Sequence, residues 1–533
     1  METNQIDSLI SLIQSSPAAK NWEKIGIKQH HGINIPLFSL HSKKSAGIGE
    51  YTDLIPMIDW CKSLGLDVLQ LLPLNDTGLE TSPYSALSAF ALNPLHIGLA
   101  SLPYLEENTL VSTMLKDIQQ MTASQRIDYP QLHSKRSGLL HQYFTEFSEE
   151  IMRENEYQTF VKNNPWLQGY ALFKSLKMYS KWKSWELWPD DLRNPTPETV
   201  AKHSQKYEID MAYHIFLQYL CFKQMQEAKK HAESQGIFLK GDIPILINRE
   251  SADVWLHRQM FYMDLEAGAP PDQYSKEGQK WGFPIYNWDA IAQSDYEWWK
   301  QRLAYATHFY HIYRIDHIVG FYRIWGIPLG KKAMDGHFVP ENPTVWINRG
   351  DTIMRIMLGA STMLPIGEDL GTVPPEVRKD MKELGICGTK VMRWERDWNG
   401  NGHFLLPDEY TPLSMTTVST HDSETVSQWW TNYPAEVKEY CTEKGWSYTA
   451  VLDPEYHFAI LYDSHHTSSL FHINLLQEYL ALFPQMVWPN PEDERINTPG
   501  VISDRNWSYR FRPSIEEIVG SEPLGALIQD LKS

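Results

Sequence analysis

A (β/α)8 barrel of the TIM type with inserted, partly helical subdomains is the α/β fold this sequence predicts, and three observations predict it. Eight short, mostly apolar runs recur along the 533 residues, as strands buried on both faces require. Amphipathic helical stretches lie between most of them, the alternation that builds a parallel sheet. Three of the runs end at or within two residues of a carboxylate just before a turn or helix start, and a barrel gathers such strand-end side chains at one mouth.

The eight runs are Ile35–Leu40, Val68–Pro73, Phe238–Ile245, Ile312–Asp316, Pro365–Asp369, Lys390–Trp394, Thr416–Thr420 and Leu470–Leu476. Tyr51–Leu64 and Pro374–Leu384 read as intervening helices. Thr372-Val373-Pro374-Pro375-Glu376 starts the second with proline in its first turn, where a missing N–H is harmless. Between the second and third runs, residues 93–236 are too long for an ordinary loop. They carry helical patterns at Trp166–Tyr179 and Met211–Gln235, and predict a mostly helical insertion subdomain over one side of the mouth. Residues 248–300 are expected to form an active-site loop insertion, whose stretch Gly268–Asp289, rich in Gly, Pro and aromatics, predicts an irregular but structured loop. No repeat or Gly/Ser linker divides the chain, so 1–533 is read as a single catalytic barrel.

Composition narrows the function classes. A net charge of −18 repels phosphate backbones and anionic lipid, so neither nucleic acid nor membrane is an expected partner. The start Met-Glu-Thr-Asn-Gln-Ile-Asp lacks the basic and apolar regions of a signal peptide, and no stretch is long and apolar enough to cross a bilayer. Cys61, Cys221, Cys387 and Cys441 form no C-x-x-C pair, which points to a reducing cytoplasm rather than to disulfides or zinc. Of the 20 tryptophans most are expected in the core, with a minority offering flat faces to sugar rings.

The carboxylate segments carry the chemistry. In Tyr313-Arg314-Ile315-Asp316-His317, Arg314 and Asp316 share a strand face, so the guanidinium would keep Asp316 ionised and fit for nucleophilic attack; a structural Arg–Asp pair is the plainer alternative. In Gly367-Glu368-Asp369-Leu370-Gly371, Glu368 sits beside another acid at an apolar strand end, as a general acid needs, while Asp369 points the other way or caps a turn. His421-Asp422 follows a run rich in Thr and Val. No G-x-S-x-G elbow and no H-E-x-x-H occurs, so sugar contact suits this pair better than a triad or a metal. Asp242, in Gly241-Asp242-Ile243-Pro244, either meets sugar hydroxyls or bonds local backbone. Three carboxylates at one mouth are the equipment of glycosyl transfer: one attacks, one protonates the leaving oxygen, one steadies positive charge.

Taken in order, these residues resemble the amylomaltase or disproportionating-enzyme family of 4-α-glucanotransferases, within the α-amylase superfamily. The resemblance runs through most of the chain: Gly32–Leu40 with Gly47-Ile48-Gly49-Glu50, Ser82-Pro83-Tyr84, Ser88–Pro94, Gly241–Pro244 and Ser251–Trp255. It continues through Gly268-Ala269-Pro270-Pro271-Asp272, Gly278-Gln279-Lys280-Trp281-Gly282, Arg495-Ile496-Asn497-Thr498-Pro499-Gly500 and Asn506-Trp507. It implies a barrel without a C-terminal β-sandwich, Asp316 as nucleophile, Glu368 as general acid/base and Asp422 as transition-state stabiliser. Arg314, His421, Asp242 and Tyr84 would bind the donor sugar, and Trp281 would lie on a substrate-covering loop. No cofactor or metal is implied. Glu50, Ala46, Thr81 and the His421-Asp422-Ser423-Glu424-Thr425 segment depart from the family pattern.

The expected substrates are maltooligosaccharides or α-1,4-glucan chains, as donor and acceptor. Transfer outcompetes water only if an aromatic acceptor site orients sugar, for which Trp281 and Tyr286 are candidates. A hydrolase on the same scaffold, or a glycan-binding protein without catalysis, are the competing readings.

Overall fold

The computed structural model describes residues 3–271, 276–398 and 400–533. Twelve strands occur in it. They are β1 (His30–Ile35), β2 (Val68–Leu71), β3 (Phe238–Ile243), β4 (Phe261–Ala269), β5 (Gln279–Tyr286), β6 (Ile312–Ile315), β7 (Ile324–Pro328), β8 (His337–Val339), β9 (Leu364–Gly367), β10 (Gly388–Val391), β11 (Ser414–Thr417) and β12 (Phe471–Leu475).

Eight of them pair in the order β10-β11-β12-β1-β2-β3-β6-β9, with every ladder parallel. The two ends of this sheet meet through a parallel bridge between Ile366 and Cys387, where Gly367 N–H donates to the Cys387 carbonyl at 2.8 Å. The sheet is therefore rolled into the (β/α)8 barrel. Strands such as β2, β9, β11 and β12 are buried along their whole length because helices cover the outside and side chains fill the inside.

The helix Pro375–Leu384 shows how local sequence sets an element. Proline opens it, Val377, Met381 and Leu384 recur on its buried face, and Gly385 at φ 78° closes it in the left-handed conformation that glycine alone adopts freely. Between β2 and β3 the chain carries the helices Thr109–Gln119, Tyr129–Met152, Asn155–Asn163, Trp166–Tyr179, Pro197–Lys206 and Glu208–Gln235. Buried polar contacts tie them to the barrel. Tyr170 and Lys174 both reach Asp76 Oδ2, at 2.6 and 2.7 Å, and Arg136 reaches Glu50 at 2.8 Å.

Several boundaries differ from expectation. The first strand is His30–Ile35 rather than Ile35–Leu40: Pro36 has no N–H for a ladder, and Leu37–Ser39 turn as a short 3-10 helix although buried. Met392–Trp394 is likewise a 3-10 turn beyond β10, and the seventh barrel strand starts at Ser414. Gly268–Asp289 is not an irregular loop. Apart from residues 272–275, which lie outside the described residues, it belongs largely to a four-stranded antiparallel sheet in the order β5-β4-β7-β8.

Candidate active site

The barrel brings the charged strand ends together at one mouth, the C-terminal face where such barrels work. Arg314 lies on β6, Asp316 one residue past it, Glu368 one residue past β9, Asp242 near the end of β3, and His421-Asp422 in the turn after β11. Tyr84 comes from the loop after β2.

Arg314 is the hub. Its Nη1 donates to both oxygens of Asp242 at 3.0 Å and to Asp316 Oδ1 at 2.9 Å, while Nη2 stands 3.6 Å from Glu368 Oε2. Asp242 is sealed from solvent, whereas Asp316 keeps 24% of its side-chain surface open. Arg314 therefore spends most of its charge on the buried partner and leaves Asp316 accessible to a ligand. Tyr84 donates to Asp242 Oδ2 at 2.7 Å. Its proton being committed there, its oxygen accepts from His421 Nε2 at 3.0 Å, so the network assigns the His421 proton to Nε2. Asp242 is thus held by Arg314 and Tyr84 rather than by local backbone.

Glu368 is differently placed. Its Oε2 accepts from the His317 N–H at 2.9 Å and its Oε1 from the Leu370 N–H at 3.0 Å. His317 adopts φ 43°, a left-handed turn for a non-glycine residue, at the point where its N–H meets Glu368. Burial pushes the Glu368 carboxyl up to about 7, with the negative Asp316 adding to the rise and Arg314 and the two N–H groups opposing it. Its neighbour Asp369 faces away: it accepts from the Thr389 N–H at 2.7 Å and pairs with Arg378 at 3.0 Å.

Asp422 has the opposite electrostatics. Crowding in the mouth pushes its carboxyl up, but His421, the Asn497 amide and Arg314 outweigh that and hold it at about 2. Asn497 Nδ2 donates to Asp422 Oδ1 at 2.6 Å, and His421 Nε2 lies 3.2 Å from Oδ2. Two carboxyls that both feel Arg314 are thus driven apart, one toward a proton at neutral pH and one toward a fixed charge.

Trp281, on β5, meets the His317 ring edge to face at 5.0 Å, which sets an indole beside the Asp316 segment. Tyr286 is a correction. It is 2% exposed, donates to the Ile245 carbonyl at 2.8 Å and packs on Trp288, Trp298 and Trp299, so it serves the core and not an acceptor site. Sequence reasoning assigned no role to Asn497, Trp507 or Glu424. Trp507 stacks near Tyr84 and His421, at 5.6 and 5.9 Å. Asn497 and Trp507 lie in segments that carry the family resemblance, but nothing local in the sequence gives either residue a role. A small cavity of about 20 Å³ at the ends of β1 and β2 is lined by Asn75, Thr77, Thr81 and Pro83 among others, and by none of the carboxylates. No group of three or more His, Cys, Asp or Glu among the described residues could hold a metal ion.

Fold and site define a (β/α)8-barrel enzyme whose mouth is built around linked carboxylates. The family model described as 4-alpha-glucanotransferase matches residues 35–516, and the chain belongs to that family. The 4-alpha-glucanotransferase of Chlamydia caviae is 44% identical over 98% of this chain and 98% of its own length. That of Synechocystis sp. is 32% identical over 91% and 94%. Among solved structures, an amylomaltase from Streptococcus agalactiae in complex with acarbose aligns with a TM-score of 0.81 at 26% identity, covering 95% of this chain and 99% of that one.

Proposed function

We propose that this 4-α-glucanotransferase moves α-1,4-glucan segments between maltooligosaccharides by a retaining double displacement, with Asp316 as nucleophile, Glu368 as general acid/base and Asp422 as charge stabiliser. The observation that carries the assignment is the divergence of the carboxyls around Arg314: Glu368 is pushed up to about 7, while Asp422 is held at about 2. Asp316 attacks the anomeric carbon as Glu368 gives its proton to the departing oxygen. The ionised Glu368 then takes the proton of an acceptor 4-hydroxyl, which attacks the glycosyl-enzyme and releases Asp316. Two inversions keep the α configuration.

Arg314, Asp242, Tyr84 and His421 form the donor site in this reading, and Trp281 covers the acceptor side. Residues 93–236 act as a helical subdomain beside the mouth, and 248–300 supply its cover. The four cysteines are all free and buried, which fits a reducing cytoplasm. No helix among the described residues is long and apolar enough to cross a membrane.

The test is incubation with maltotriose and separation of products by chain length. Glucose together with a ladder of longer maltooligosaccharides is expected; only shorter sugars would make it a hydrolase. Asp316→Asn should abolish turnover while sparing glucan binding, and unchanged turnover would remove Asp316 as nucleophile.

A further inference from the structure

Asp422 is held differently from the other two carboxylates. Asp316 and Glu368 stand at strand ends and share Arg314. Asp422 sits in a turn beyond β11 with 45% of its side-chain surface open. An open carboxylate on a turn samples several rotamers, yet a group that steadies developing charge must be oriented before the reaction begins.

His421 Nε2 lies 3.2 Å from one oxygen, Oδ2, and the hydrogen bond to the other comes from a segment 75 residues further along the chain, where Asn497, 8% exposed, donates to Oδ1 at 2.6 Å. Asn497 is itself fixed by Arg495. Arg495 Nε donates to the Asn497 carbonyl at 2.9 Å, Nη2 reaches the Asp422 carbonyl at 3.4 Å, and Nη1 pairs with Glu424 Oε1 at 2.6 Å. Glu424 Oε2 also accepts from Arg393 at 2.5 Å, so the carboxylate two residues beyond Asp422 is locked between two guanidinium groups. One arginine thus joins the backbones of both members of the Asp422–Asn497 pair, and Glu424 fixes that arginine.

We infer that Asn497 is a positioning residue for glycosyl transfer: its side-chain amide holds the Asp422 carboxylate toward the reacting sugar, and Arg495 with Glu424 clamps the two backbones in register. The inference rests on the role proposed above for Asp422. It gives a function to Glu424, at one of the positions where the chain departs from the family pattern.

Two variants test it, with kcat and KM on maltotriose followed across pH and thermal midpoints recorded beside them. Asn497→Leu keeps the volume and removes the donor. Its kcat should fall roughly tenfold to a hundredfold with KM nearly unchanged, the size expected when a preorganising hydrogen bond at a charged group is lost. Asn497→Asp keeps the shape but opposes two carboxylates at neutral pH. As the pH falls the new acid takes up a proton and donates it to Asp422, so this variant should regain activity on the acid side while Asn497→Leu does not. A purely structural role predicts losses that track the thermal midpoint and no acid recovery, and that result would overturn the inference. Should Asn497→Leu not fold, the acid recovery of Asn497→Asp decides alone. Asp422→Asn separates the two levels. If it stays active, the role of Asp422 itself fails. If it is inactive while both Asn497 variants keep wild-type kcat and pH profile, only the role of Asn497 fails.

Discussion

In the proposed mechanism Glu368 must be a carboxylic acid at the pH where most glutamates are ions. Its ordinary value of 4.5 is pushed up to about 7 in the folded chain, mainly by burial. Activity and stability follow from this with definite signs. The proton donor exists below about pH 7, so kcat/KM should fall about tenfold per pH unit on the alkaline side of that value. Stability moves in the same direction. Between the two values the folded chain keeps a proton that the unfolded chain releases, so folding weakens as pH rises from 4.5 and levels off above about 7. Glu368→Gln removes the titration. It should lose turnover yet gain stability at pH 8, on the order of 3 kcal/mol as an upper figure for the full shift. A thermal midpoint at pH 8 that fails to rise would show that Glu368 is not strained by burial. At this scale the positions of the three proposed carboxylates could be picked out in the sequence, because each stands where an apolar run breaks, and the arginine two residues before Asp316 stands at the hub of the hydrogen bonds. Glu424 and Asn497 were not legible, since nothing local says that a residue at 497 reaches one at 422.

Among the elements, one buried cluster that joins the barrel to the helices between β2 and β3 is open to test. Asp76 lies in the loop after β2 and is 1% exposed; it accepts from Lys174 and Tyr170 of the helix Trp166–Tyr179 and from the Gly78 N–H at 2.9 Å. Burial pushes the Asp76 carboxyl up, and Lys174 with these hydrogen bonds outweighs it and holds it low. Removing one partner of such a pair leaves a buried charge uncompensated. Lys174→Met should therefore cost about 3–5 kcal/mol, read as a lower urea midpoint, and Asp76→Asn in the same chain should recover part of it. A loss below about 1 kcal/mol would mean that water enters and solvates Asp76. The helix that carries Lys174 was legible to its ends, because a 3.6-residue apolar period is a local signal. The sheet of β4, β5, β7 and β8 was not. Its ladder between β4 and β5 shifts register twice, and its Gly and Pro residues read as loop, so period-2 alternation never appears. The first barrel strand slipped for a related reason: its His-His-Gly start does not read as apolar, yet His30 and Gly32 are buried and His31 is half-buried.

Over the whole molecule the sequence predicted a barrel from alternation alone, but not which loops meet at its mouth. Tyr84 and His421 touch across 337 residues, because the parallel ladders β11-β12-β1-β2 bring the loops after β2 and β11 to the same mouth. The antiparallel sheet reaches the mouth through Trp281, which rests on His317 beside Asp316. A transferase differs from a hydrolase in what reaches the glycosyl-enzyme first, and water is present at far higher concentration than sugar. On the proposed reading, an indole face at the acceptor side shifts that contest twice over: it stacks the incoming ring, and it takes space that water would fill. Trp281→Ala should leave the first displacement nearly intact, since Asp316, Glu368 and Arg314 make no hydrogen bond to it. The partition of the intermediate should change instead. We expect the ratio of hydrolysis to transfer on maltotriose to rise roughly three- to tenfold, the range given by losing an aromatic contact of about 0.5–1.5 kcal/mol. New reducing ends counted against the length of the oligosaccharide ladder measure that ratio directly. An unchanged ratio with a lower overall rate would move Trp281 from the acceptor side to the donor side, and would leave water exclusion to the backbone of the sheet rather than to its aromatic face.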